Sequence, residues 1–149
     1  MLKTLIAGVV SLAVLCSTVA QAGPMNKTVG GITFYLGVMP AEIVRGHPSA
    51  HPESTMHGSP PKGAGSRHLV VALFDAKTGE RIVDASVSAR VEQVGLAAEQ
   101  KDLEPMQIAG TLTYGNFYLM QGGGIYKIRI VVKMKGTSNR IEAEFEYHA

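Results

Sequence analysis

One cysteine, no tryptophan and few aromatic residues mark this sequence of 149 residues. The lone cysteine, Cys16, lies in an N-terminal apolar stretch. With no second thiol there is no intrachain disulfide, so stability must come from a buried core or a bound metal. Charge is sparse too: Asp, Glu, Lys and Arg make up 17% of the chain and nearly cancel, at a formal +2. A dedicated nucleic-acid binder would show a basic patch, and this balance supplies none. Beyond the N-terminus no run is long and apolar enough to cross a bilayer as a helix. Amphipathic stretches of helical period are also missing, which argues against an α-rich fold.

The first residues declare a compartment. Lys3 gives a positive start, Leu5 to Leu15 an apolar centre, and Ala20-Gln21-Ala22 a small-residue cleavage site. This is the pattern of a secretory signal peptide over residues 1–22, too short to be a good membrane span. Leu15 stands before Cys16 where a lipoprotein signal wants a small residue, so cleavage is expected after Ala22. Residues 23–149 then form a single soluble domain, expected in the periplasm.

Nearly every remaining segment reads as strand. Thr28 to Val38 carries β-branched and aromatic residues around Gly30-Gly31, which predicts one strand with a bend or bulge. Leu69 to Phe74 is a continuous apolar run that ends in the turn Asp75-Ala76-Lys77-Thr78-Gly79. Val83, Ala85, Val87, Ala89 and Val91 alternate with polar residues, a period of two that assigns them to a buried face. Gly95 to Asp102 reads as a helical turn or a loop. Leu103 to Ile108 and Thr111 to Met120 read as short strands, and Gly122 to Gly124 as a turn. Tyr126, Ile128, Ile130, Val132 and Met134 alternate with mostly basic residues; Ile141, Ala143, Phe145 and Tyr147 alternate with Glu142, Glu144 and Glu146. Basic residues facing glutamates across the last two strands would stabilise the pair. About seven strands with turns at this spacing predict an all-β, immunoglobulin-like or cupredoxin-like sandwich.

Between the strands lies a stretch without an apolar run. Residues 39–67 are expected to form a long loop rich in Pro, Gly and His, and four of the five histidines fall between His47 and His68. Imidazole and thioether are ligands for copper, and imidazole also serves zinc and nickel. The alternative is a polar, flexible loop with solvated histidines, since His-rich tracts signal metal only by composition. Pro48 and Pro52 exclude a regular helix that would place His47 and His51 on one face.

Further along, the order Pro105-Met106, then Tyr114-Gly115-Asn116, then Met120 with Gly122-Gly123-Gly124 and Tyr126-Lys127 resembles a known group. It is similar to the periplasmic copper-binding proteins associated with bacterial high-affinity iron uptake, over Arg67 to Lys133. The resemblance implies a cupredoxin-like, immunoglobulin-type sandwich working beside an inner-membrane iron permease. It also implies copper held by histidines and a methionine, with Met106 and His68 at matching positions. Two positions depart: Thr113 stands where the family has a histidine before Tyr-Gly, and Val70 where it tends to carry an acidic residue. Exported sandwich domains of the copper-tolerance type share the general plan.

His68 and Met106 are thus the leading metal ligands, with Met56 and His57 as loop donors and His51 and His47 behind them. Taken alone, His68 could equally be an exposed strand-entry histidine and Met106 a core gap-filler. A mixed His/Met set suits Cu(I), and imidazole also holds Cu(II); zinc or iron are the alternative metals. Met120 fits either burial or ligation, and His148 is expected in solvent. Enzyme readings fare poorly. No cysteine nucleophile remains, Ser54, Ser59 and Ser66 lack a nucleophile elbow, and His57 near Glu53 is not a zinc-protease motif. Two functions follow: a metal-binding protein for copper buffering, tolerance or delivery to an inner-membrane transporter, or a sandwich module acting by protein contact. A homodimer is compatible with either.

Overall fold

The computed structural model describes residues 23–45, 61 and 63–149. The expected signal peptide and the candidate donors His47, His51, Met56 and His57 lie outside the described residues. Eight strands and one short helix follow in order: β1 (Asn26–Val29), β2 (Ile32–Pro40), α1 (Ala41–Arg45), β3 (Ser66–Asp75), β4 (Ala85–Gln93), β5 (Glu99–Ile108), β6 (Thr111–Leu119), β7 (Ile125–Met134) and β8 (Arg140–His148). All pairings are antiparallel, in the order β1-β2-β3-β6-β5-β4-β7-β8. The all-β sandwich expected from alternation is therefore present, curled far enough that β1 and β8 approach. There the Lys27 ammonium donates to the Glu144 carbonyl and lies 5.5 Å from the Phe145 ring centroid.

One strand holds the two sheets together. The first half of β5 pairs with β4, Leu103 opposite Val87, and the second half pairs with β6, Glu104 opposite Gly115. The expected helical turn or loop over Gly95 to Asp102 is corrected here, since Glu99 to Asp102 are strand. Their uninterrupted run of polar side chains had concealed a strand whose stability comes from its neighbours, not its own propensity.

Other boundaries also moved. The single bent strand over Thr28 to Val38 is a hairpin, β1 and β2, turning at Gly30 and Gly31 with φ of 57° and 81°. Positive φ at both central residues is the geometry of a tight hairpin turn, which glycine adopts at little cost. The long loop is shorter than residues 39–67, because β2 runs to Pro40, α1 follows, and β3 begins at Ser66. Val83, assigned to a buried face, is 57% exposed, because β4 starts only at Ala85.

The core lies between the sheets. Phe34, Leu69, Val71 and Leu73 from one side meet Val87, Ala89, Ile128, Ile130, Val132 and Phe145 from the other. Two inward tyrosines of β6 reach across to β4: the Tyr118 hydroxyl donates to the Ala89 carbonyl at 2.9 Å, and Tyr114 accepts from the Ala85 amide at 3.3 Å. Burial pushes the pKa of both phenols above the usual range. On the wet face of β7 and β8, Lys127 faces Glu146 and Arg129 faces Glu144, the latter at 3.2 Å. Lys133 is the exception: it faces Arg140, which pairs with Glu142 at 3.0 Å.

Two predictions follow from this packing. Replacing Phe145 with alanine should cost about 3–5 kcal/mol in denaturant unfolding, the range for emptying a buried aromatic site. Tyr118→Phe should cost about 1–3 kcal/mol, because it strands the buried Ala89 carbonyl. Asp75 offers a pH test. Its carboxylate accepts from the Thr78 and Lys77 amides at 2.9 and 2.8 Å, and these bonds hold its pKa below the ordinary aspartate range. The folded state thus favours the ionised form. Its contribution is present above the ordinary aspartate pKa and is lost as pH falls through the lowered value. Asp75→Asn should flatten that acid limb of the stability curve.

Candidate metal centre

β3 and β6 are buried on both faces, which alternation alone does not explain. Leu69, Val71 and Leu73 point into the sandwich, yet Ser66 and His68, of opposite parity, are buried as well. On β6, Tyr114 and Tyr118 point inward while Thr113, Gly115 and Phe117 share the outer face, where Thr113 and Phe117 are buried. A covered outer face is the signature of a strand with material packed on both sides. Part of that cover is α1, whose Ala41 and Val44 pack with Phe117 and with Met39 at the end of β2.

Within this outer layer the two leading candidates come together. His68 is 2% exposed and Met106 is 1% exposed. Register places Met39 opposite His68, His68 opposite Phe117, and Thr113 opposite Met106. The His68 ring stacks on Phe117, with centroids 4.7 Å apart and planes inclined by 28°. Between the His68 and Met106 rows lies Gly115. A Cβ built there would sit 2.7 Å from Met106 Sδ, 3.0 Å from His68 Nε2 and 3.0 Å from the Leu69 carbonyl oxygen. The imidazole nitrogen and the thioether sulfur thus both close on Gly115, an approach that is possible because residue 115 has no side chain. His68 is therefore not the exposed strand-entry residue of the alternative reading, nor does Met106 belong to the main core.

The donor types fit copper. A borderline nitrogen beside a soft sulfur, in an apolar and largely dry surround, suits copper better than a hard cation, which would want several oxygens. The neighbouring positions explain how the pair is supported. Val70, across from Gly115 on β3, is aliphatic, and the Thr113 hydroxyl donates to the Met106 carbonyl at 3.4 Å. Among the described residues no group of three or more His, Cys, Asp or Glu converges. His68 and Met106 alone would leave a metal ion short of ligands.

The remaining candidates separate cleanly. Met120 is 1% exposed and belongs to the main core, so burial accounts for it. His148 is partly exposed and lies 2.9 Å from Glu146 at the chain end. Sequence reasoning missed Gly115, Phe117 and Met39 as parts of the site. The signal was available in β6, where Thr113, Gly115 and Phe117 share one parity while tyrosines occupy the other.

No family model matches the chain, and no curated protein matches it by sequence. Solved structures do match. A DUF4426 family protein from Pseudomonas aeruginosa aligns with a TM-score of 0.66 at 12% identity, covering 83% of this chain and 92% of that one. The copper-reconstituted P19 protein of Campylobacter jejuni gives 0.62 at 12% identity, covering 85% and 93%. A copper-bound variant of FetP from uropathogenic Escherichia coli gives 0.63 at 13% identity, covering 85% and 94%. Identity this low establishes the fold and not the site. This chain has the β-sandwich fold of the copper-bound P19 and FetP structures, the group toward which its Pro-Met and Tyr-Gly-Asn motifs had pointed.

Proposed function

We propose that this chain is an exported copper-binding protein that buffers copper in the periplasm or passes it to an inner-membrane metal-uptake system. The observation that carries the reading is the convergence of His68 Nε2 and Met106 Sδ on the space beside Gly115. The copper-bound neighbours of the same fold support it, and so does the leader sequence. When bound, copper would supply a redox-active ion exchangeable between carriers. The chain's own part is to hold it: His68 through nitrogen, Met106 through sulfur, Phe117 by fixing the ring, and Gly115 by leaving room. Met56, His57, His51 and His47 are the sequence's further donors for the same ion. The proposal assigns the chain no catalytic step.

Copper rather than zinc or iron follows from the thioether, which adds little to binding of the harder ions. A protein-contact role is the second reading, favoured by Tyr35, half exposed, packed edge-on to Phe74 at 5.5 Å with Arg81 over the Phe74 ring. These residues line a surface cavity of about 590 Å³ on β2 and β3.

Metal loading separates the readings. The purified domain should retain copper after desalting, and lose it as pH falls, because protons compete with metal for imidazole. At free copper a hundredfold above the dissociation constant, the fold should gain about 2.7 kcal/mol. A melting temperature indifferent to Cu(I) and Cu(II) would leave the contact module as the surviving reading. His68→Ala should remove most copper affinity in both oxidation states, whereas Met106→Leu should penalise Cu(I) more than Cu(II). Gly115→Ala should also lower affinity, since its methyl group would occupy the space shared by the two donors. Deleting Ala50 to Pro60 gives the contrast: if that alone abolishes binding while His68→Ala and Met106→Leu bind normally, the metal sits on the histidine tract.

A further inference from the structure

The space beside Gly115 has a neighbour that the sequence motifs did not assign. Glu104 is the partner of Gly115 across the β5–β6 ladder. Directly opposed residues of an antiparallel pair project to the same face, with Cβ atoms about 4.5–5.5 Å apart. The Gly115 Cβ direction leads to Met106 Sδ and His68 Nε2, so Glu104 projects to that same side. Its position two residues before Met106 on one strand agrees. Glu104 is exposed whereas His68 and Met106 are buried, which places the carboxylate at the rim of the site and the other two donors beneath it.

The other positions around the gap offer little to a metal. Val70, opposite Gly115 on the far side, has no donor atom, and the Thr113 hydroxyl is engaged by the Met106 carbonyl. A glutamate, by contrast, carries its carboxylate two methylenes beyond Cβ, and residue 115 has no side chain to block its path.

We propose that Glu104 supplies an oxygen donor to the copper held by His68 and Met106. This inference rests on the reading of His68 and Met106 as a copper site and adds a hard, anionic ligand to a soft one. Its consequence is a selective effect on oxidation state. A carboxylate favours Cu(II), while the thioether favours Cu(I), so Glu104 and Met106 pull the bound ion in opposite directions.

The test uses copper ions alone, with the whole exported domain. Glu104→Gln keeps the size of an exposed side chain and removes the anionic donor; Glu142→Gln, on β8 of the other sheet, controls for loss of one surface charge. Competition with a chelator should show Cu(II) affinity falling about tenfold or more for Glu104→Gln, the scale on which carboxylates around metal sites act. The Cu(II) electron paramagnetic resonance spectrum should change with it, while Cu(I) affinity stays within about twofold and Glu142→Gln behaves as the parent. Glu104→Asp, which keeps the charge but shortens the reach, should also weaken Cu(II) and alter the spectrum. Parental Cu(II) affinity and spectrum in both Glu104 variants, or an equal loss in Glu142→Gln, would overturn the proposal. His68→Ala identifies a different failure: if copper binding survives it, the His68–Met106 reading itself is wrong and the Glu104 inference falls with it.

Discussion

The passage of β5 from one sheet to the other is the constraint on which the rest of the structure depends. Up to Leu103 the strand belongs with β4 and its apolar side chain points into the core; from Glu104 onward it belongs with β6. Pro105 stands just after the switch, where its missing N–H is tolerated because the ladder is changing partners. Alternation puts Leu103 inside the sandwich and Met106, three residues later, on the outside. The switch is what seats Met106 beside β6, opposite Thr113.

The second outcome is a sheet with two dry faces. Inside, β3 and β6 contribute to the main core; outside, they carry the buried His68, Thr113 and Phe117, with α1 packed on Phe117. A small domain without disulfides spends much of its apolar surface on one core. A second, smaller layer holding an imidazole and a thioether is hard to explain by stability alone, since isosteric apolar residues would pack there at least as well. Under the proposed function, the outer layer would present its donors preset on rigid strands, so that little entropy is lost on binding.

The sheet-forming alternation was legible wherever one face was wet, as in β4, β7 and β8. Reading failed where tertiary context decided. Glu99 to Asp102 look like loop because their side chains are polar on both parities, yet β4 supplies their hydrogen-bonding partner. The Gly30-Gly31 hairpin was mistaken for a bend, since glycine marks a break without revealing its angle. At the candidate site, His68 and Met106 could be picked out through motif order, but Gly115 could not. A glycine acting by the absence of its side chain leaves no chemical signature, and only the positions of its neighbours reveal it. Glu104 was hidden for a similar reason: in sequence it is one more exposed charge, and only register brings it beside that gap.

Strand order has a kinetic side as well. β3 reaches β6 only after two intervening strands have been placed, and β4 finds β7 over a comparable span. Such non-local pairings close long loops before they gain contacts, which slows folding relative to local hairpins. For the export proposed above, slow closure would prolong the interval in which the chain remains threadable. The same delay governs when His68 and Met106 first meet, since neither β3–β6 nor β5–β6 pairing alone brings both to Gly115. The pair is absent from the unfolded chain and forms only once β3, β5 and β6 have come together.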